Sequence, residues 1–127
     1  IRYRLVGSEM CIRDRENPVR TKSFNFALQV VLLCKDLQKE NEYVISRQLL
    51  RSWTSIGANV EEAQWASSRK DFLNKIRIAK KEAFETKYWL RLLKESQIIS
   101  KDYSKYIQEV GEIIRILGKI TSTMSKD

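Results

Sequence analysis

The sequence predicts an all-α protein, an antiparallel up-down-up-down four-helix bundle, and three observations carry that expectation. The 127 residues include only four Gly and one Pro, too few turn-formers for an all-β domain. Four stretches repeat apolar residues at alternating spacings of three and four, the period of one helix face. The connections between them are short, which favours antiparallel neighbours, and a sustained heptad favours crossing angles near about +20°. Two long helical hairpins that pair differently are the alternative. The length fits one domain, and 43% apolar with 31% charged residues suffices for a core. No run of about 18 apolar residues occurs, so no membrane span is expected, and the expected location is cytoplasmic.

The first helix is expected over 22–40, with Thr21 or Ser23 as N-cap and Phe24, Ala27, Val31 and Cys34 facing inward. Cys34 on that face is read as a buried, inert thiol. The second is expected over 46–66, capped by Ser46, with Leu49, Trp53, Ile56, Val60 and Ala63 as its stripe. Gly57 lies inside it, where Gly costs about 1 kcal/mol relative to Ala, so close approach of another helix is expected there. The third is expected over 69–94, with Ser68 and Asp71 as a capping-box-like start. Its seam runs through Phe72, Ile76, Ala79, Ala83, Thr86, Leu90 and Leu93 and narrows at the two alanines. The fourth is expected to begin after Ser100, capped by that serine, with Asp102 at the positive end of the helix. Tyr103, Tyr106, Val110, Ile113, Leu117, Ile120 and Met124 form its stripe, and Gly111 and Gly118 beside it imply tight packing.

Residues 1–15, IRYRLVGSEMCIRDR, show no helical or strand period. The run from Val6 to Arg15 resembles a translated sequencing adapter, so this segment is read as non-native and 16–127 as the bundle domain. Residues 16–127 then hold +6 of the net charge of +8 and one of the two cysteines. Two cysteines make no disulfide framework in any case.

The chain has no His. That removes Ser-His-Asp and Cys-His catalysis, the HExxH zinc site and the Glu-x-x-His di-iron motif. Residues 69–94 hold nine basic and three acidic residues, a balance of +6, so the other segments neutralise themselves. Arg77, Lys80, Lys87, Arg91 and Lys94 share one stripe with Phe84, and Tyr88 lies beside it. Cations neutralise phosphates and a ring stacks on an unpaired base, so the stripe suits nucleic acid. A solvated outer face with its rings packed on a neighbour is the competing reading. Glu61, Glu62, Glu82 and Glu85 are read as ion-pair partners, such as Lys81 to Glu85 at i,i+4, rather than as metal ligands. Asn59 and Glu62 border the second helix's seam and are read as specifying or interface residues. Trp53, Trp65 and Trp89 are more large rings than a thin bundle buries, which points to association.

Four blocks of residues resemble one family: Ser55-Ile56-Gly57-Ala58-Asn59-Val60-Glu61-Glu62-Ala63-Gln64, Ser68-Arg69-Lys70-Asp71-Phe72, Ala79-Lys80-Lys81-Glu82-Ala83 and Glu85-Thr86-Lys87-Tyr88-Trp89-Leu90. Together they resemble the bacterial four-helix bundle proteins of the 23S rRNA intervening-sequence family, over about 22–124. The resemblance implies a ring-like homopentamer and marks Ser55, Gly57, Asn59, Glu62, Asp71, Phe72, Glu82, Glu85 and Trp89 as motif or interface residues. The family is also similar to the accessory variability determinant of diversity-generating retroelements, a basic pentamer that partners a reverse transcriptase. The expected function is therefore non-enzymatic binding of nucleic acid, RNA before DNA, by an oligomer using Arg77, Lys80, Phe84, Lys87, Arg91 and Lys94. No recognition-helix turn for reading DNA is evident. No cofactor, metal or membrane partner is expected. A scaffold for an acidic protein such as a reverse transcriptase is the alternative.

Overall fold

The computed structural model describes residues 18–125, so the reading of residues 1–15 lies outside the described part. Four α-helices follow one another: α1 Pro18–Lys39, α2 Val44–Ala63, α3 Arg69–Ser96 and α4 Ser104–Ser125. No strand occurs among the described residues.

α1 starts four residues before the position expected from its apolar pattern. Pro18 occupies the first helical position, where a fixed φ and a missing N–H cost nothing. The buried face is also rotated from the expected one. Val19, Ser23, Phe26, Val30, Leu33, Cys34 and Leu37 are buried, whereas Phe24 is 65% and Val31 47% exposed. The stretch from Phe24 to Cys34 is apolar almost all round, so its period marks no single stripe. The choice is made across the interface, where Phe26 meets the buried Trp53 edge-on at an interplanar angle of 73°.

α2 begins two residues before Ser46. The Glu42 carboxylate accepts from the backbone N–H groups of Ile45 at 3.0 Å and Ser46 at 2.8 Å, doing the work expected of the serine. An anion at the positive helix end is favourable in its own right. Ser46 is instead a buried helical residue whose hydroxyl donates to the Glu42 carbonyl. The helix stops at Ala63 in a tight turn, with Trp65 N–H donating to Glu62 O and Ala66 N–H to Ala63 O. Trp65 lies beyond the helix and is 75% exposed.

α3 starts as its sequence signature requires. Ser68 Oγ accepts from Asp71 N–H at 3.0 Å, and the Asp71 carboxylate accepts in return from Ser67 N–H. Its 28 residues span about 42 Å. The expected seam is buried from Ile76 to Leu93, with Phe72 half-buried at its start. Gln97, with a positive φ of 56°, ends it.

α4 is capped by Asp102, not Ser100. Asp102 Oδ1 accepts from Ser104 N–H at 3.0 Å. Tyr103 precedes the helix, is buried, and donates its hydroxyl to Ile99 O at 2.9 Å. That bond folds the loop back on itself and moves the helix start past Ser100.

Partners across each neighbouring pair run in opposite directions along the chain. Arg20 meets Glu61, Phe26 meets Trp53 and Cys34 meets Ser46 between α1 and α2. Ser52 meets Thr86 and Glu62 meets Lys75 between α2 and α3. Arg69 meets Met124 and Lys80 meets Gly118 between α3 and α4. Lys22 and Glu112 join α1 to α4 at 2.8 Å. The four helices thus form a four-helix bundle.

The close approach expected at the glycines is not found at two of them. A Cβ on Gly57 would meet nothing within 4 Å, and one on Gly111 only the Arg115 side chain of its own helix. The small residues that narrow the core are Ala79 and Ala83, both fully buried. Gly57→Ala therefore removes backbone entropy from the unfolded chain without a clash. It is expected to raise Tm by about 3–5 °C, the equivalent of about 1 kcal/mol. Thermal unfolding followed by circular dichroism checks this, and a lowered Tm would show that another chain occupies the space beside Gly57.

Burial, with a smaller push from Glu42, raises the Cys34 thiol from 9.0 to about 12. The folded protein keeps a proton that the unfolded chain releases. The associated stability is complete below about pH 9 and is lost as pH rises towards 12. In a Cys11→Ser background at pH 8, the native thiol is expected to react with a disulfide reagent at least about 10²-fold more slowly than the denatured one. A chromogenic thiol assay measures the ratio.

Candidate nucleic-acid interface

α3 is two-sided because its apolar and basic residues keep different phases of one helical period. Ile76, Ala79, Ala83, Thr86, Leu90 and Leu93 face the core. Arg77, Lys81, Phe84, Tyr88 and Arg91 lie on the outer side, with Lys80 and Lys87 half-buried along its flank and Lys94 exposed at the end. Phe84 is 51% and Tyr88 58% exposed. Arg77, Lys80, Phe84, Lys87, Arg91 and Lys94 are thus each at least partly exposed along α3. The helix extends to Ser96 and so includes Glu95, which sets its charge at +5 rather than +6.

Among the described residues none of Arg77, Lys80, Lys81, Lys87, Arg91 or Lys94 lies in a salt bridge. Elsewhere some cations are paired, Arg20 with Glu61 at 2.6 Å, Lys22 with Glu112 at 2.8 Å and Lys75 with Glu62 at 2.9 Å, while others such as Lys35, Arg47 and Lys119 lie in no salt bridge among the described residues. The bond from Glu62 raises the Lys75 ammonium above its ordinary range, and Lys22 lowers Glu112. Lys81 and Glu85, placed for an i,i+4 pair, do not form one. Glu82 and Glu85 of α3 turn to α2, where Arg51 pairs with Glu85 and lies 3.6 Å from Glu82. Trp89 Nε1–H donates to the same Glu85 at 3.2 Å.

The motif residues therefore work mostly inside the chain. Glu62, Glu82 and Glu85 clasp α2 to α3, Trp89 supports Glu85 from within α3, Asp71 caps α3, and Phe72 packs against the core. Asn59 donates its amide to Ser55 O at 2.9 Å and to Ser55 Oγ at 3.2 Å, within its own helix. Gly57 faces open space. Of the three tryptophans Trp53 is buried, Trp89 half-buried and Trp65 exposed. Among the described residues no three Cys, Asp or Glu side chains converge as a metal site would require.

Two features were not read from the sequence. The first is an apolar surface on α1 formed by Phe24, Leu28, Val31 and Leu32, between 47% and 65% exposed. Phe24 and Val31 of this surface are expected in the core from their spacing, and Leu28 and Leu32 carry no expectation. The second is an open groove of about 540 Å³ between α3 and α4, which joins Arg77, Lys80, Lys81 and Phe84 to Gly118 and the hydroxyls of α4's last turns.

A four-helix bundle with an internal α2–α3 clasp defines a class of small all-helical protein. The chain belongs to the family of 23S rRNA-intervening sequence proteins, whose model matches residues 15–119. It is also similar to a crystallographically solved protein of unknown function from the S23 ribosomal protein family of Bacteroides thetaiotaomicron VPI-5482. The identity is 47% and the TM-score 0.77, over 81% of this chain and 97% of that one. No protein of curated function matches the chain.

Arg51 joins two carboxylates that would otherwise lie side by side. Arg51→Ala is expected to lower stability by about 1 kcal/mol in urea titration, more than the median exposed pair, because two partners are lost together. The loss should shrink when Glu85→Gln is added, since the remaining repulsion is relieved.

Proposed function

We propose that this chain is a non-enzymatic, oligomeric RNA-binding protein, an up-down-up-down antiparallel bundle that uses the outer face of α3. The observation that carries the reading is the set of six cations that form no ion pair among the described residues, interleaved with the exposed rings of Phe84 and Tyr88. Unneutralised cations release counterions when they meet phosphates, and exposed rings stack on unpaired bases. The family's link to intervening sequences of 23S rRNA favours RNA as the polymer. The absence of His leaves no side chain whose unperturbed pKa lies near neutral, which favours a binding role over catalysis.

The oligomer is supported by α1. An apolar surface of four neighbouring large side chains is more than scattered exposure, and a second copy of the chain would cover it. The ring-like homopentamer implied by the family resemblance is our reading of that assembly, in the bacterial cytoplasm. The same cations would also meet an acidic protein such as a reverse transcriptase, but that reading leaves the exposed rings without a role.

Mobility shift of a single-stranded RNA tests the assignment. Replacing Lys80, Lys87 and Arg91 together with Glu is expected to abolish the shift, and unchanged binding would sink the proposal. For five phosphate contacts, wild-type affinity should fall by about 10²-fold between roughly 50 and 200 mM salt. A partner captured equally well after nuclease treatment would favour the acidic-protein reading. Light scattering is expected to show a multimer that Leu28→Glu with Leu32→Glu converts to monomer.

A further inference from the structure

The groove between α3 and α4 divides its chemistry between two walls. The α3 wall supplies Arg77, Lys80 and Lys81, with no carboxylate among the lining residues. Phe84 lies at the same wall, half exposed, its ring available from the open side. The α4 wall supplies hydroxyls. Thr121 Oγ1 donates to Gly118 O at 2.9 Å, and Ser125 Oγ donates to Thr121 O at 2.6 Å. Both hydroxyl protons are therefore committed to carbonyls, and these oxygens face a ligand as acceptors. Ser125 Oγ also accepts from Arg77 Nη2 at 3.1 Å, which holds the guanidinium at the groove's edge. Ser122 adds an exposed hydroxyl.

Donors on one wall and acceptors on the other match a ligand that is anionic on one side and carries a hydroxyl on the other. We infer that the groove seats one ribonucleotide of a single strand, phosphate towards Arg77, Lys80 and Lys81, base over Phe84, and ribose 2′-hydroxyl towards Thr121 and Ser122. The volume of about 540 Å³ lies within the range of roughly 300–1,000 Å³ found for small-ligand sites. A strand fits better than a free nucleotide because the groove is open and its basic wall continues along α3 to Lys87, Arg91 and Lys94. The 2′-hydroxyl is the group by which a protein tells RNA from DNA at one position. Gly118 keeps the site open. A Cβ there would lie 3.9 Å from Lys80 Cε and Nζ, so alanine is accommodated, whereas a longer side chain would project into the groove.

This inference rests on the RNA-binding reading, and a charge-neutral block separates the two. Gly118→Leu fills the groove, changes no charge and places a strong helix former in α4. Gly118→Ala serves as the control that leaves it open. Fluorescence anisotropy with a six-residue uridine RNA and its deoxyribose counterpart is the measurement. Wild type and Gly118→Ala are expected to prefer the RNA, while Gly118→Leu and Phe84→Ala each weaken RNA binding by about tenfold, the loss of one stacked base. The ribose preference should vanish in Gly118→Leu. Uridine monophosphate should fail to displace the RNA at equal concentration, and equal displacement would overturn the strand assignment. If Gly118→Leu binds the RNA as wild type does, while Lys87→Glu with Arg91→Glu does not, the groove is not the site although the α3 face is. If wild type binds neither oligonucleotide, both readings fall.

Discussion

The buried hydrogen bond between Ser52 and Thr86, 2.8 Å long with both side chains fully enclosed, fixes the register on which the rest of the bundle depends. The two hydroxyls meet inside an apolar seam, and a slip of α3 along α2 would break that contact and leave each with only a carbonyl of its own helix. Each also donates or shares a bond with its own helix, Ser52 with Leu49 O and Thr86 with Glu82 O. Ala79 and Ala83 allow the helices to close at that register. Arg51 then falls between Glu82 and Glu85, and Lys75 reaches Glu62.

That register decides where charge remains. Once Glu82 and Glu85 are held by α2, they no longer screen the lysines and arginines on the far side of α3. The basic face is therefore a product of the clasp as much as of composition. Fold and site share the helix, one phase of its period being spent on the seam and the other on the surface. The α4 wall of the groove follows from the same packing, since Arg69 and Arg77 reach the last turn of α4 and bring its hydroxyls beside Lys80.

Much of this was legible in the sequence because α2, α3 and α4 carry clean apolar stripes between polar faces. Leu49 to Ala63 and Ile76 to Leu93 are buried as their spacing requires. α1 was misread in phase because Phe24 to Cys34 is apolar almost throughout, and only contact with Trp53 selects Phe26 over Phe24. Two helix starts moved because Glu42 and Asp102, acting from before the helix, capped in place of Ser46 and Ser100. Gly57 and Gly111 invited a packing explanation that their surroundings do not provide. The exposed cations of α3 could be read because they are local to one helix. The groove could not, because it joins residues some forty positions apart, and only folding brings Gly118 to Lys80.

The central claim is that RNA lies on the outer face of α3. Ultraviolet cross-linking of bound single-stranded RNA, with the adducts mapped by peptide mass spectrometry, reads that face directly. The account predicts adducts at Phe84 and Tyr88. Adducts confined to Phe24 on α1 or to Trp65 at the end of α2, with α3 unmarked, would contradict it.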